Sequence, residues 1–201
     1  MIAKDRFSKK SSAVETLKSE VAILQAVDFQ GIIKLESMFE TKDKIFVVME
    51  KMNGDMLELI LSQASGRLNE RSAKFLIMQI LRALRYLHSR GIAHCDLKPG
   101  KIICFNFNLF LTIEERLNID ECIAHQWLRD PQTYYDLFCL EKRLGLEKRY
   151  LTSDSEDLIW APQLHAMGLL KNGQIQSIEE TPTEHPLPLL ENTKTVDMSE
   201  V

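Results

Sequence analysis

The sequence predicts an α+β fold from two patterns of apolar residues. Residues 12–26 and 69–91 carry apolar side chains at the i, i+3, i+4 spacing of amphipathic helices. Between them, residues 32–50 have the pattern of two strands joined by a polar turn. With 201 residues, 45% of them apolar, the chain is long enough for one domain with a core, with or without a tail.

The first helix is predicted over residues 12–26. Ser12 and Glu15 match a capping box, in which a hydroxyl and a carboxylate each satisfy a free backbone donor. One apolar stripe follows at helical spacing: Val14, Leu17, Val21 and Leu24.

A β-hairpin packed under this helix is predicted next. Residues 44–50 form a nearly continuous apolar run, and residues 41–43 supply the polar turn before it. The first strand, residues 32–40, is expected to place one alternating set of side chains on a single face: Ile33, Leu35, Ser37 and Phe39.

The long helix has the strongest pattern in the chain. Asn69 is its predicted N-cap, and Gly91 supplies the left-handed stop. Its apolar stripe is Ala73, Leu76, Ile77, Ile80, Leu81, Leu84 and Leu87. Further apolar residues lie off that stripe: Phe75, Met78, Ala83 and Tyr86. A helix that is apolar over more than one face is expected to have neighbours on several sides.

The second half of the chain has weaker signals. A short strand is predicted within residues 102–111, and helices are predicted over residues 113–128 and 134–147. Beyond Gly168 prolines and glutamates predominate, so this tail is expected to be disordered.

Charge and cysteine content exclude several classes of protein. A net charge of -4 gives no basic footprint for nucleic acid or anionic membranes. No apolar run reaches the length of about 18 residues that a transmembrane segment needs. The cysteines show no C-x-x-C pairing, which favours reduced packing thiols over a metal site: Cys95, Cys104, Cys122 and Cys139. A cytoplasmic location is the resulting expectation.

The stretch from His94 to Pro99, H-C-D-L-K-P, resembles the catalytic loop H-R-D-L-x-x-x-N of protein kinases. In that loop the Asp accepts the proton of the substrate hydroxyl, and the Asn binds a magnesium ion. Asp96 matches the Asp. Lys101 stands at the Asn position, and its ammonium has no acceptor for a metal ion.

The order of elements before this loop also resembles a kinase, and the resemblance narrows to the protein kinase D family of serine/threonine kinases. Cys95, in place of the usual Arg, is itself a mark of that family. The matching stretches lie in two blocks: residues 20–25, 38–41, 46–51, 54–58, 66–68, 74–77 and 94–99, then 116–130, 149–152, 157–160 and 168–169.

The resemblance implies a role for each matching position in catalysis. Asp96 is expected to be the catalytic base, and Lys98 to steady the transferring phosphate. Glu20 is expected to be the helix glutamate that pairs with the ATP-binding lysine. Residue type alone favours a solvated helix residue for Glu20; the in-register match to the family favours the kinase position instead.

The resemblance also implies ATP and Mg²⁺ as cofactors and protein substrates as partners. Met49 is expected to be the gatekeeper, and the backbone of Glu50 and Met52 to hold the adenine ring. A core methionine is the alternative for Met49.

The chain departs from the family pattern at several motifs. No G-x-G-x-x-G, D-F-G or A-P-E occurs, and the lysine partner of Glu20 is expected immediately before Met1. The segments that a kinase carries between its catalytic loop and its last helix are missing. Arg116 therefore lacks its family partner, and it is expected to be exposed or differently paired.

The sequence therefore predicts a partial kinase-like bilobal fold, with a small β lobe that carries one helix and a mainly helical large lobe lacking its centre. The expected parts are an incomplete small lobe (1–52), the start of the large lobe (53–104), a last kinase helix with an extension (109–170), and a disordered tail (171–201).

Two functions are compatible with these departures. The first is a serine/threonine kinase region that is inactive or severely impaired, as in a pseudokinase. The second is a non-catalytic fragment that binds a full-length relative through an apolar patch left exposed on the long helix. The terminus Ser199, Glu200 and Val201 also suits a PDZ groove. The same exposed helix allows a third outcome, that the chain does not fold alone.

Overall fold

The computed structural model describes residues 2–3, 11–41, 44–51, 56–94, 97, 117–145 and 148–176, and the side chains of residues 2–3 and 11–17 are not included. The chain divides into two compact units. The first comprises Met1–Asn53 together with Leu190–Val201, and the second comprises Gly54–Leu189. Each unit is described by itself below.

The first unit has one helix and a three-stranded antiparallel sheet. The helix α1 spans Ser11–Ala26, and the strands are β1 (Ile2–Ala3), β2 (Leu35–Glu40) and β3 (Lys44–Met49), in the order β1-β3-β2. Helix α1 contacts β2, as the hairpin prediction requires. Three described apolar side chains are buried in this unit: Val21, Phe29 and Ile45.

The predicted face of β2 is wrong because the strand contains an irregularity. The register with β3 shifts between Leu35 and Ser37, which ends the simple alternation of side chains. Leu35 and Met38 are the half-buried residues of β2, whereas Phe39 is 51% exposed and stacks on Phe46 of β3 at 4.7 Å between ring centroids. The capping box predicted at Ser12 and Glu15 lies outside the described side chains.

The second unit is mainly helical. Its helices are α2 (Met56–Ser62), α3 (Glu70–His88), α4 (Ile119–Ile123), α5 (Pro131–Arg143) and α6 (Asp154–Ala166). A small antiparallel pair, β4 (Leu170–Lys171) and β5 (Gln174–Ile175), follows them. Helix α3 contacts α4 and α5, and α5 contacts α6. None of the described helices is both long and apolar enough to cross a bilayer.

The long helix is confirmed, together with both of its predicted ends. The Asn69 side chain accepts a hydrogen bond from the Ser72 amide, and Gly91 has a φ of +69°. Residues on and off the predicted stripe are buried, among them Phe75, Leu76, Ile77, Met78 and Ala83. The predicted exposed patch is therefore wrong: no described apolar residue of α3 is among the exposed large hydrophobics, because its neighbours cover more than one face.

The helices after the predicted catalytic loop differ from the prediction. The helix expected over residues 113–128 is restricted to α4 within the described residues, because Asn118 caps it and Glu121 completes a capping box. Helix α5 begins before Tyr134, because Asp130 caps it and Pro131 fits the first helical position. It ends at Arg143, before Gly145, whose φ is +60°.

Two elements were not predicted. Helix α6 follows an N-cap at Ser153, whose hydroxyl accepts from the Glu156 amide. Residues 170–175 form the β4–β5 hairpin, so the expectation of disorder beyond Gly168 is wrong for these residues. The predicted strand within residues 102–111 and the remainder of the tail lie outside the described residues.

Candidate functional site

The C-terminal end of α3 leads towards the predicted catalytic loop. The Gly91 amide donates to the His88 carbonyl over 2.9 Å, which closes the helix. The Arg90 guanidinium lies over the Tyr86 ring at 3.6 Å from its centroid. These contacts fix the direction in which the chain leaves the helix towards His94, which is half-buried.

The two predicted catalytic residues lie outside the part of the chain that the structure describes. Asp96 and Lys98 lie outside the described residues, as do Met52, Lys101 and Arg116. Leu97 is described and is 40% exposed. The roles assigned to Asp96 and Lys98 therefore stay predictions.

The end of β3 carries the two described residues of the predicted adenine site. Met49 pairs with Leu35 across the hairpin, and its side chain is 45% exposed. The alternative of a core methionine is therefore wrong. An exposed thioether at this position can contact a ligand, so the gatekeeper role of Met49 stays a prediction.

Glu50 is held by a two-way clamp with Lys34. The Glu50 amide donates to the Lys34 carbonyl over 2.9 Å, and the Lys34 amide donates to Glu50 Oε1 over 2.7 Å. Because the Glu50 amide is engaged, an adenine contact from this residue would have to use its carbonyl. Sequence reasoning missed Lys34; the usable signal is the hairpin register, which places it opposite Glu50 once Leu35 pairs with Met49.

Glu20 is exposed on α1 and forms no ion pair with another described residue. Two residues before Glu20, the Lys18 ammonium approaches Glu40 at 3.9 Å, and both side chains are about half exposed. Exposed pairs of this kind contribute only about 0–1 kcal/mol. The predicted pairing of Glu20 with an ATP-binding lysine stays a prediction.

The residues of this chain have to be compared separately with its two expected cofactors, magnesium and ATP. Among the described residues, no three His, Cys, Asp or Glu side chains are grouped so that they could hold a metal ion. In the sequence, Lys101 replaces the metal-binding Asn of the family. No D-F-G is present to supply a second ligand. Lys101 and the absence of D-F-G therefore do not supply the magnesium ligands of the family, and the adenine contact expected of Met49 and Glu50 stays a prediction.

The second block of the family resemblance packs against α3. Leu128 is 4% exposed, and the Lys74 ammonium of α3 lies 5.6 Å from the centroid of the Trp127 ring. Lys74 also lies 3.9 Å from Asp130 Oδ2. The H-Q-W-L stretch thus serves as a contact between α3 and the start of α5.

A buried carboxylate joins α3 to α5. Asp136 is 3% exposed and accepts two hydrogen bonds from Arg71, of 2.8 Å and 2.6 Å. Gln132 Nε2 donates to the same carboxylate over 2.9 Å. The hydrogen bonds that Arg71 donates to Asp136 raise the pKa of the Arg71 guanidinium above its usual value. This bidentate geometry fixes the position of α5 along α3.

A second buried carboxylate organises the loop between α5 and α6. Glu141 is 5% exposed; it accepts the amides of Tyr150 and Leu151, each over 2.6 Å, and the Thr152 hydroxyl. Arg149 lies beside it at 3.8 Å.

Arg149 extends this cluster into α6. It donates to Asp154 over 2.8 Å and to both carboxylate oxygens of Asp157, over 2.7 Å and 2.8 Å. The Tyr134 hydroxyl also donates to Asp157. Burial raises the pKa of Asp157 above its usual value. These contacts give the family stretches 149–152 and 157–160 a structural role.

The comparison with protein families places residues 1–112 in the protein kinase domain. That match covers the whole first block of the resemblance, including the predicted catalytic loop. It ends before the described helices α4, α5 and α6.

Individual relatives extend the match beyond that domain. The chain is 66% identical to the serine/threonine-protein kinase dkf-1 of Caenorhabditis elegans over 262 residues, which covers 80% of this chain and 36% of the relative. Human serine/threonine-protein kinase D3 is 53% identical over 267 residues, covering 83% and 29%. Human serine/threonine-protein kinase D2 is 57% identical over 103 residues, covering 51% and 12%. The chain thus spans about a third or less of the length of these curated relatives.

Two of these relatives are matched over more positions than this chain has residues. The match to the C. elegans kinase extends over 262 positions, more than the 201 residues of this chain, yet covers only 80% of the chain. The same holds for human kinase D3. These relatives therefore have a segment, inside the matched region, to which no residue of this chain corresponds.

Proposed function

Because the chain belongs to the protein kinase family, and within it to the protein kinase D group of serine/threonine kinases, we propose that it carries part of a catalytic region but transfers phosphate poorly or not at all. This proposal rests on the kinase motifs that are missing after the predicted catalytic loop. No D-F-G or A-P-E follows Asp96, and the matched region of the C. elegans relative contains a segment that this chain lacks.

The magnitudes of the catalytic effects support impairment. A general base such as Asp96 contributes a factor on the order of 10²–10⁴ in rate. Positioning of the reactants contributes about 7–11 kcal/mol, and kinase chemistry depends mainly on holding ATP, magnesium and the hydroxyl in line. Lys101 and the missing D-F-G remove metal ligands, so Asp96 and Lys98 act without the groups that position the nucleotide phosphates.

The direct test is a phosphotransfer assay with Mg-ATP and a serine-containing peptide. Wild type and Asp96→Asn are expected to give the same background rate, while the kinase domain of the C. elegans relative serves as the positive control. A cooperative unfolding transition in both variants shows that folded protein was assayed. A wild-type rate clearly above that of Asp96→Asn overturns the proposal.

A second role, binding to a full-length relative, is favoured by the surface of α6. Leu158 is 79% exposed and Ile159 is 50% exposed on this helix. Binding can be measured between the purified chain and a purified full-length relative, with Leu158→Asp as the variant expected to weaken it. Equal binding by wild type and variant would remove α6 from this role.

Two further proposals concern partners and location. A PDZ domain is proposed to bind Ser199, Glu200 and Val201, and amidation of the terminal carboxylate in a peptide of this sequence should abolish that binding. A cytoplasmic location is proposed because the four cysteines show no C-x-x-C pairing, which favours reduced thiols, and a reducing compartment preserves reduced thiols. Imaging of the tagged chain tests the second proposal.

A further inference from the structure

Three exposed cations lie where α5 ends and the loop to α6 begins. Lys142 and Arg143 are in the last turn of α5, and Lys148 is in the loop that follows. Among the described residues, none of the three has a carboxylate partner within ion-pair distance. These three residues form the basic patch of the helical unit, and the kinase resemblance assigns them no role.

The fold brings Lys148 back to the end of α5. The Tyr150 amide donates to Glu141 over 2.6 Å, so the loop that carries Lys148 returns to the last turn of the helix. The Lys148 ammonium lies 5.4 Å from the centroid of the Tyr150 ring, which keeps its charge at this end of α5. The basic patch is therefore built by two segments of the chain.

The described carboxylates beside the basic patch are engaged by another residue. Arg149 lies 3.8 Å from Glu141 and forms ion pairs with Asp154 at 2.8 Å and Asp157 at 2.7 Å. Residues 142–150 contain four basic side chains and a single acidic one, Glu147, which lies outside the described residues. The basic patch therefore presents a positive surface.

The residues after the β4–β5 hairpin are acidic. Residues 177–201 contain six acidic side chains and one lysine, and Glu179 and Glu180 come three and four residues after Gln176. Gln176 is held beside α5, because its carbonyl accepts from the Tyr135 hydroxyl over 2.6 Å and its amide donates to the Leu169 carbonyl over 2.9 Å. The chain therefore enters the acidic residues from a fixed point next to α5.

The reach of these acidic residues matches the distance to the basic patch. Lys142 follows Tyr135 by seven residues, which places it on the same face of α5 and about 10 Å further along the axis. An extended chain spans about 3.3–3.6 Å per residue, so Glu179 and Glu180 can reach about 10–14 Å from Gln176. A short linker of matching span gives a high effective concentration, so that individually weak ion pairs act together.

We propose that the basic patch docks the acidic segment 179–184 of the same chain. The carboxylates of this segment pair with the three cations of the patch. Single exposed ion pairs are weak and are screened by salt, so this docking is reversible and depends on ionic strength. While the segment is docked it occupies the patch, and an acidic segment of another protein has to displace it.

Zero-length carbodiimide cross-linking of the full chain tests this proposal, because it joins a carboxylate to an amine only where the two are in contact. Peptide mass spectrometry is expected to find the acidic segment joined to Lys142 or Lys148 at low salt. The yield should fall about threefold or more in roughly 0.5 M NaCl, because salt screens exposed pairs. Lys171 is the reference amine, since it is exposed and close in sequence to the segment but outside the patch.

Neutral variants locate the contact. Lys142→Gln combined with Arg143→Gln leaves Lys148 as the reporter and should lower its cross-linking to the acidic segment about three- to tenfold. The matched control also removes two exposed cations, by Lys18→Gln combined with Arg67→Gln, and should leave the yield unchanged. An equal mixture of isotopically labelled and unlabelled chains separates cross-links within one chain from those between two.

Each outcome decides the proposal. Cross-links confined to Lys171, a yield that salt does not change, or equal yields in the patch variant and its control would overturn it. Cross-links that join labelled to unlabelled chains in statistical proportion would also overturn it, because a second copy would then supply the segment. If the patch variant does not fold, the salt dependence and the isotope mixture in wild type still decide.

Discussion

The sheet-containing unit and the helical unit of this chain differ in the kinds of described residues that they bury. In the first, the described buried apolar side chains are Val21, Phe29 and Ile45. In the second, buried apolar residues occur on α3, α5 and α6, and two buried carboxylates are fully hydrogen-bonded within the chain. The family resemblance places the residues expected to hold adenine in the first unit, whereas the two buried carboxylates, Asp136 and Glu141, have no role in that resemblance.

The residues that the kinase resemblance assigns to nucleotide binding are therefore not the residues that hold the described helices together. The residues expected to bind nucleotide, Glu20 and Met49, are exposed. The residues that hold α5 and α6 together, Glu141 and Arg149, form a continuous polar cluster. Variants in each unit therefore test this contrast.

The largest effect is expected from Glu141→Ala. This change leaves the amides of Tyr150 and Leu151 without their acceptor and Arg149 without one of its carboxylates. Breaking a buried charge pair by removing one partner lowers the free energy of unfolding by about 3–5 kcal/mol. Urea denaturation measures the loss.

Glu70→Ala is the matched control for Glu141→Ala. The Glu70 side chain is 66% exposed and pairs with Lys74 at i, i+4, so its removal should change stability by less than about 0.5 kcal/mol. Equal losses in the two variants would contradict the importance of the buried cluster.

Leu164→Ala is expected to have the next largest effect. Leu164 is 0% exposed and forms a core with Tyr134 and Tyr135, so truncation should lower the free energy of unfolding by about 2–5 kcal/mol. Leu158→Ala on the same helix, at 79% exposure, should change it by less than about 0.5 kcal/mol. A denaturant titration of both variants tests whether α6 is anchored by this one face.

Glu50→Gln is expected to have a smaller effect in the first unit. The change replaces a charge-assisted hydrogen bond to the Lys34 amide with a neutral one, which costs about 1 kcal/mol. Hydrogen exchange at the Lys34 amide is the local readout, and it should become faster by up to about fivefold. An unchanged rate would show that the clamp does not form in solution.

The smallest effect concerns the reactivity of Cys122. Burial, followed by the negative charge of Glu121, raises the pKa of this thiol above its usual value. A raised pKa lowers the thiolate fraction at neutral pH, so alkylation should be slow and should accelerate with rising pH. Mass spectrometry of the Cys122 peptide after timed alkylation measures this.

Glu121→Gln sharpens the prediction for Cys122. Glutamine keeps the capping geometry with Asn118 but removes the charge, so the pKa falls and alkylation at a given pH speeds up. No change in rate would mean that burial alone sets the reactivity of the thiol.

The sequence predicted the elements whose signals are local. Helix α3 was predicted with both ends, because Asn69 and Gly91 are explicit start and stop residues. The hairpin strands were also predicted, but the facing of β2 was not, because the register shift between Leu35 and Ser37 depends on pairing with β3. Helix α6 was missed although Ser153 and Glu156 form a usable cap signal, because the helix has no clear apolar stripe.

The site was predicted only as far as residue types allow. Met49 and Glu50 could be placed at the end of a strand, but the clamp from Lys34 requires the register of the hairpin. The buried pair of Arg71 with Asp136 joins residues far apart in the chain, so no local pattern reveals it.

The most direct test of the impaired-kinase account is the thermal unfolding of the purified chain with and without saturating Mg-ATP. A nucleotide present at a hundred times its dissociation constant would add about 2.7 kcal/mol and raise Tm by roughly 5–11 °C. The account predicts a cooperative transition whose Tm does not change with Mg-ATP, in wild type and in Met49→Trp alike. A rise of that size in wild type that is lost in Met49→Trp would contradict it.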